Sequence, residues 1–282
     1  GPADLLNDMN SNEVSVIGTR PKLFVTYTPT RNFILGPGEY NMTLPRFSNR
    51  DYKLYIPRSY DKLTPIPVVM VLHGGGGNAW TLNLLTCPDG NPSNPKCMNN
   101  LAEREGFIVV YPSGTENPTA DEVRTWNAGG GRQSYACISG YACENGIDDV
   151  SYIKALLDDL DRIVNIDKRK VYATGISNGA AMTHRLACET ADRITAIAPI
   201  SFGNQYSTVD NCIPTREVPI IEFHGTADPF ATYEGGVFNL PLGLSGKIIS
   251  IPTTMADWAT RNGCSTSSTI ELADVSDDDT TV

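Results

Sequence analysis

The sequence of 282 residues contains no apolar run approaching the ~20 residues that a membrane-spanning helix needs, so no segment reads as a span. Cationic residues are few: 22 Lys and Arg stand against 32 Asp and Glu, a formal net charge of -10. A surface of that sign repels phosphate, which argues against nucleic acid and anionic membranes as partners. The seven cysteines include no Cys-x-x-Cys pair, and no His cluster neighbours them, so no metal site is expected. Internal repeats and low-complexity stretches are also missing, and the chain reads as one domain behind a lead-in. Histidine is scarce, with only His73, His184 and His224.

What is present is informative by its spacing. Cys87 and Cys97 bracket a Pro/Asn-rich loop, Cys137 and Cys143 bracket a Gly/Ser/Tyr loop, and Cys188 and Cys212 flank a strand-like segment. These read as three disulfides and hence as an oxidising compartment, secreted or periplasmic. Cys264 is left over, and an odd cysteine in such a chain normally has its partner elsewhere.

Residues 1–45 mix Asn, Asp, Ser, Thr and Pro with short β-like runs such as 22–27 and read as an extended lead-in. From residue 46 to 282 the pattern is that of an α/β domain. Residues 52–57 alternate like a half-buried strand, while 67–72 and 106–112 are continuous apolar runs of the kind found in parallel sheets. Residues 99–105 suit a helix, and a long loop follows over 113–146. Val150, Ile153, Leu156, Leu157 and Leu160 recur at helical spacing behind Asp148 and Asp149, either of which can cap the helix. Strands are expected over 194–200 and 218–223, a final helix over 253–261, and one more strand beginning near 269–272. Strand alternating with helix describes a mostly parallel, doubly wound sheet.

The chemistry concentrates at strand ends. Val171-Tyr172-Ala173-Thr174-Gly175-Ile176-Ser177-Asn178-Gly179-Ala180-Ala181-Met182 runs from a β-rich segment through Gly-x-Ser-x-Gly into a helix. A sharp strand-to-helix turn of this kind lifts a serine hydroxyl out of the sheet, and its glycines let two backbones pass closely. At the helix N-terminus, the dipole and unpaired N–H groups favour the negative charge of an acyl-transfer intermediate. Upstream, His73-Gly74-Gly75-Gly76-Gly77-Asn78 ends a strand with backbone N–H groups open to a ligand. Downstream, His224-Gly225-Thr226-Ala227-Asp228-Pro229 ends another with a carboxylate. Ser177 is then the nucleophile, Asp228 the acid, and the N–H groups of Asn178 and Gly75 the oxyanion donors. No cofactor is called for.

The histidine base is not where this order requires it, because no His follows Asp228. His184 lies two turns along the helix from Ser177, ~10 Å by helical rise, and reads as structural. His73 and His224 sit where an imidazole braces a loop more readily than it takes a proton.

Val71-Leu72-His73-Gly74-Gly75-Gly76-Gly77-Asn78, Tyr111-Pro112-Ser113-Gly114, Trp126-Asn127-Ala128-Gly129, Asp148-Asp149-Val150, the elbow and the Asp228 turn together resemble the polyhydroxybutyrate depolymerase-like esterases of the α/β-hydrolase superfamily, which include feruloyl and acetyl-xylan esterases. The resemblance spans roughly residues 50–265 and implies the same nucleophile and acid. It also implies a further strand, a cysteine and a Gly-His segment that carries the base. On that expectation the triad histidine lies beyond Val282, on a missing C-terminal fragment that also carries the partner of Cys264. The implied substrate is a feruloyl or acetyl ester of plant polysaccharide, with Trp80, Trp126 and Tyr135 as candidates for stacking on a sugar or phenolic ring or, equally, for loop packing. A polyhydroxyalkanoate depolymerase is the alternative enzyme, and a catalytically inactive hydrolase fold serving as a binding module is the alternative of another class.

Overall fold

The structure, a computed structural model, describes residues 13–15, 24–26, 33–48, 50–120, 123–130, 137, 140–208, 210–239 and 245–265. The chain divides into two units, Gly1–Ile34 and Leu35–Val282. In the first, β1 (Glu13–Ser15) pairs antiparallel with β2 (Phe24–Thr26), with Val14 opposite Val25.

In the second unit the elements follow as β3 (Gly38–Leu44), β4 (Arg50–Ile56), β5 (Ile66–Leu72), α1 (Ala79–Leu85), α2 (Met98–Glu105), β6 (Ile108–Pro112), β7 (Thr115–Glu116), β8 (Arg124–Thr125), α3 (Tyr141–Glu144), α4 (Asp149–Ile163), β9 (Ile166–Ile176), α5 (Asn178–Glu189), β10 (Ala196–Ile200), β11 (Gly236–Asn239), β12 (Ser245–Ile248) and α6 (Ile251–Arg261). Six strands form the main sheet in the order β10-β9-β5-β6-β4-β3, and β4 alone runs against its neighbours. This is the α/β-hydrolase sheet, mostly parallel and flanked by helices.

The central strands are apolar on both faces because helices cover both. Val68, Met70, Leu72, Ile108 and Val110 belong to one core cluster, while Val71, Val109 and Tyr111 pack with α1 and α2 residues Ala79, Leu82 and Ala102 in another. α4 lays Val150, Ile153, Leu156, Leu157 and Leu160 on the first cluster. Asp148 caps it, accepting from Ser151 N–H.

Three sequence expectations change. The lead-in ends near residue 34 rather than 45, because β3 is the edge strand of the main sheet, paired with β4 along all seven of its residues. An edge strand exposes alternate polar residues, here Glu39, Asn41 and Thr43, which disguised it. Residues 218–223 lie beside β10 and hydrogen-bond to it, but pair with it as isolated bridges at Ile197↔Ile220 and Ile200↔Phe223 rather than as a continuous strand. Pro199 and Pro219 each lack an N–H, so the ladder loses a bond on both sides. The loop over 113–146 contains the β7–β8 pair and the short α3. The strand expected near 269–272 lies outside the described residues.

One buried ion pair knits this loop to the sheet. Arg50, on β4, places Nη1 2.6 Å from Asp149 Oδ1 with both residues under 10% exposed. Arg50 Nε and Nη2 also donate to Ser113 O at 3.2 and 3.0 Å, and its guanidinium stacks 3.6 Å from the Tyr152 ring centre. Asp149 accepts in addition from Asn127 N–H at 2.6 Å and Thr115 Oγ1 at 3.1 Å. Removing one member of such a pair strands the other without solvent. Arg50→Met is therefore expected to destabilise the fold by about 3–5 kcal/mol in urea unfolding, and adding Asp149→Leu to recover much of that loss.

Candidate active site

β9 hands the chain to α5 at Ser177, whose backbone sits at φ 55° and ψ -120°, a conformation side chains rarely adopt. The strain is held by a hydrogen bond from Ser177 N–H to Ile200 O at 3.0 Å and by the packing of α5, which buries ten of its residues. The flanking glycines are there for contact. A Cβ on Gly175 would stand 2.7 Å from the Gly179 carbonyl, and one on Gly179 would stand 2.3 Å from Leu72 O and 2.5 Å from His73 O. The start of α5 thus rests directly on the end of β5.

The glycine loop leaves that same end. Gly76 N–H donates to Arg124 O at 2.9 Å and Gly77 N–H to Gly74 O at 3.1 Å. Those two donors are spent, whereas Gly75 is exposed and its N–H takes no part in these bonds. Gly74 lies against Ser177, since a Cβ on it would be 3.4 Å from Ser177 Cβ. Across from it, Asn178 is the first residue of α5, so its N–H has no acceptor within the helix. Asn78, which closes the loop, caps α1 through a capping box with Thr81.

Trp126 ties loop and elbow together. Its N–H donates to Asn178 Oδ1 at 2.8 Å, its carbonyl accepts from Asn178 Nδ2 at 3.0 Å, and its indole Nε1 donates to His73 O at 3.0 Å. His73 is buried beneath it: Nε2 accepts from Gly114 N–H at 2.8 Å, so the proton is on Nδ1, which donates to Gly74 O at 2.7 Å. Burial pushes the His73 imidazole down to about 4, and the Arg50 and Arg124 charges add to this.

The Asp228 turn starts one segment further out. Ser177 N–H bonds Ile200 O, and Ser201 N–H bonds Phe223 O at 2.8 Å, so two backbone bonds step from Ser177 to the residue before His224. Asp228 Oδ1 accepts from Phe230 and Ala231 N–H, both at 2.9 Å, which fixes the turn and leaves Oδ2 3.7 Å from His224 Nε2.

Residues 50–234 match the family model of PHB depolymerase esterases, well over half of the chain. The chain belongs to this esterase family. Its similarity to feruloyl esterase B of Piromyces equi is 29% identity over 165 residues, 58% of this chain and 28% of that one. To the bifunctional acetylxylan esterase/xylanase XynS20E of Neocallimastix patriciarum it is 28% over 188 residues, 66% of this chain and 22% of that one. The chain thus spans less than a third of the length of either. Among solved structures, native pOPH aligns with a TM-score of 0.52 at 13% identity, over 81% of this chain and 76% of that one, a likeness of fold.

Within this esterase-family frame, the sequence expectations divide. The structure brings Ser177, Asn178 and the Gly74–Gly75 segment together and puts Asp228 in a fixed turn. The three expected disulfides form, Cys87–Cys97, Cys137–Cys143 and Cys188–Cys212, and Cys264 is exposed outside any disulfide. Trp126 is a correction: fully buried, it cannot stack on a substrate and serves the packing role. Trp80 is 43% exposed with Lys53 Nζ 4.8 Å from its ring centre, and Tyr135 lies outside the described residues. His184 is buried against Trp258, as expected of a structural residue. Arg50, Asp149 and Gly114, which support the site, were not singled out as site residues; a charge inside the apolar pattern of a strand was the available signal.

Gly179→Ala is expected to abolish accumulation of folded protein, measured by soluble yield and circular dichroism, because both opposing atoms are backbone. Since the His73 ring protonates more easily once unfolded, near 6.5, than when folded, stability should fall as pH drops from about 6.5 to about 4, by on the order of 3 kcal/mol. An NMR titration of His73 checks this; a midpoint near 6.5 in the folded protein would contradict it.

Proposed function

We propose that this chain carries the catalytic machinery of a secreted serine carboxylic-ester hydrolase acting on feruloyl or acetyl esters of plant polysaccharide. The observation that carries the reading is the wedge of Gly179 against Leu72 O and His73 O, which puts a strained serine between two sets of outward backbone donors. Ser177 Oγ attacks the ester carbonyl, and the N–H groups of Asn178 and Gly75 receive the developing oxyanion. Collapse expels the alcohol and leaves an acyl-serine, which water then hydrolyses. Asp228 orients the imidazole that takes the serine proton.

That imidazole is assigned to none of His73, His184 or His224. The first has both ring nitrogens in backbone bonds, the second accepts from Trp258 Nε1 at 3.0 Å, and the third holds Ala231 O at 2.6 Å. The names of the two fungal relatives support feruloyl and acetyl esters, and the disulfides support an oxidising compartment. Trp80, exposed in the first turn of α1 just after the glycine loop, is the candidate for stacking on a sugar or phenolic ring, a reading its exposure supports. The family model favours a second reading, hydrolysis of a polyhydroxyalkanoate, and the hydrogen bond that each of the three histidine rings already makes favours a third, an inactive binding module.

Turnover of methyl ferulate and of a hydroxybutyrate oligomer by the full chain separates these. Ser177→Ala is expected to reduce kcat for the preferred ester by roughly 10³-fold or more without changing the folded spectrum, and Asp228→Asn by a comparable factor. Equal turnover by Ser177→Ala and the parent, or no turnover by the parent, would overturn the esterase reading.

A further inference from the structure

Glu222 is an unexplained buried charge. Its side chain is 4% exposed, and neither carboxylate oxygen makes an aligned hydrogen bond among the described residues; the same holds for His224 Nδ1. A buried carboxylate of this kind costs stability unless it has a partner. Two imidazoles flank it. His184 Nε2 stands 3.3 Å from Oε2, and His224 Nδ1 stands 4.0 Å from Oε1.

The tautomers follow from the outer bonds. His184 Nδ1 accepts from Trp258 Nε1, so its proton is on Nε2, which donates to Phe202 O at 3.2 Å, while Glu222 Oε2 stands 3.3 Å from the same nitrogen without an aligned bond. His224 Nε2 bonds Ala231 O at 2.6 Å, so it donates there. Between His224 Nδ1 and Glu222 Oε1 two acceptor atoms then face each other, buried and 4.0 Å apart, unless one proton belongs to the pair. The other neighbours of His224 are the Asp228 carboxylate and the edge of the Tyr233 ring, centroid to centroid 5.9 Å.

We propose that Glu222 is a positioning residue that forms a one-proton charge pair with His224 and, through it, holds the turn that carries Asp228. Ala231 is the hinge of the linkage, because its carbonyl accepts from His224 Nε2 while its N–H donates to Asp228 Oδ1. His184 and Trp258 anchor the other side of Glu222 in the core, on α5 and α6. The acid turn is thereby tied by side chains to the helix that starts at the nucleophile. The role assigned to the turn rests on the reading of Asp228 as the triad acid.

The test compares the full chain with Glu222→Leu and Glu222→Gln by two readouts. In long-range ¹H–¹⁵N spectra of the histidine rings, Glu222→Leu is expected to convert His224 to the plain Nε2–H tautomer and leave His184 unchanged, with Glu222→Gln intermediate. In ester hydrolysis, kcat should fall on the order of 10–100-fold in Glu222→Leu with KM nearly constant, and Glu222→Gln should restore part of it. Unchanged His224 ring signals in both variants would overturn the proposal, as would a shift of His224 with parental kcat. Should the parent lack esterase activity, the ring spectra alone decide whether the pair holds that proton, so failure of the esterase reading stays distinguishable.

Discussion

Helix α5 leaves β9 against the carbonyl oxygens of Leu72 and His73, so closely that no side chain fits at Gly179. That contact sets the distance between two pieces of backbone that are far apart in sequence: the strand end that opens into the glycine loop, and the helix start that follows Ser177. Both sets of proposed oxyanion donors therefore take their spacing from main-chain contact rather than from flexible side chains. Electrostatic stabilisation of a transition state depends on dipoles that need not reorganise, and a backbone-on-backbone contact supplies that rigidity. The left-handed φ of Ser177 is the local consequence, a strain of order 1–3 kcal/mol that the surrounding packing offsets.

A second layer of constraint is polar and buried. Arg50, Asp149, Asn127, Trp126, Asn178 and His73 form a continuous path from β4 to the elbow, made of hydrogen bonds except for the peptide link between Trp126 and Asn127. Inside a core such bonds gain strength, and every unmade one is costly, so a satisfied network selects one arrangement of its loops. The indole N–H of Trp126 and the amide of Asn178 read as the last links, holding the first carbonyl of the glycine loop and the first residue of α5 in one frame.

The strand-turn-helix at Ser177, the glycine loop, the Asp228 turn, the cap at Asp148 and the three cysteine pairs were legible because chemistry or geometry demands those residue types at those spacings. Trp126 was not, since an aromatic residue near a site looks the same in sequence whether its face meets a ligand or its N–H braces a loop. β3 was hidden by the polar alternation of an edge strand, and the break in pairing along 218–223 depended on two prolines, 199 and 219, that come onto neighbouring segments only in the folded sheet. Glu222 sits in an apolar run whose period says nothing of the two imidazoles that close on it from other parts of the chain.

The cysteines also bear on how the sheet comes together. Their bonds close short stretches, with sequence separations of 10, 6 and 24 residues. The central parallel pair, by contrast, sets Val71 beside Thr174. Cys87–Cys97 and Cys137–Cys143 lie within that span but tie off only small loops of it, so they barely shorten the long search, which loop-closure entropy makes the slow part of folding for a parallel topology. Oxidation therefore acts as a local fastener, and the order of strands at the centre is found on the strength of its apolar runs.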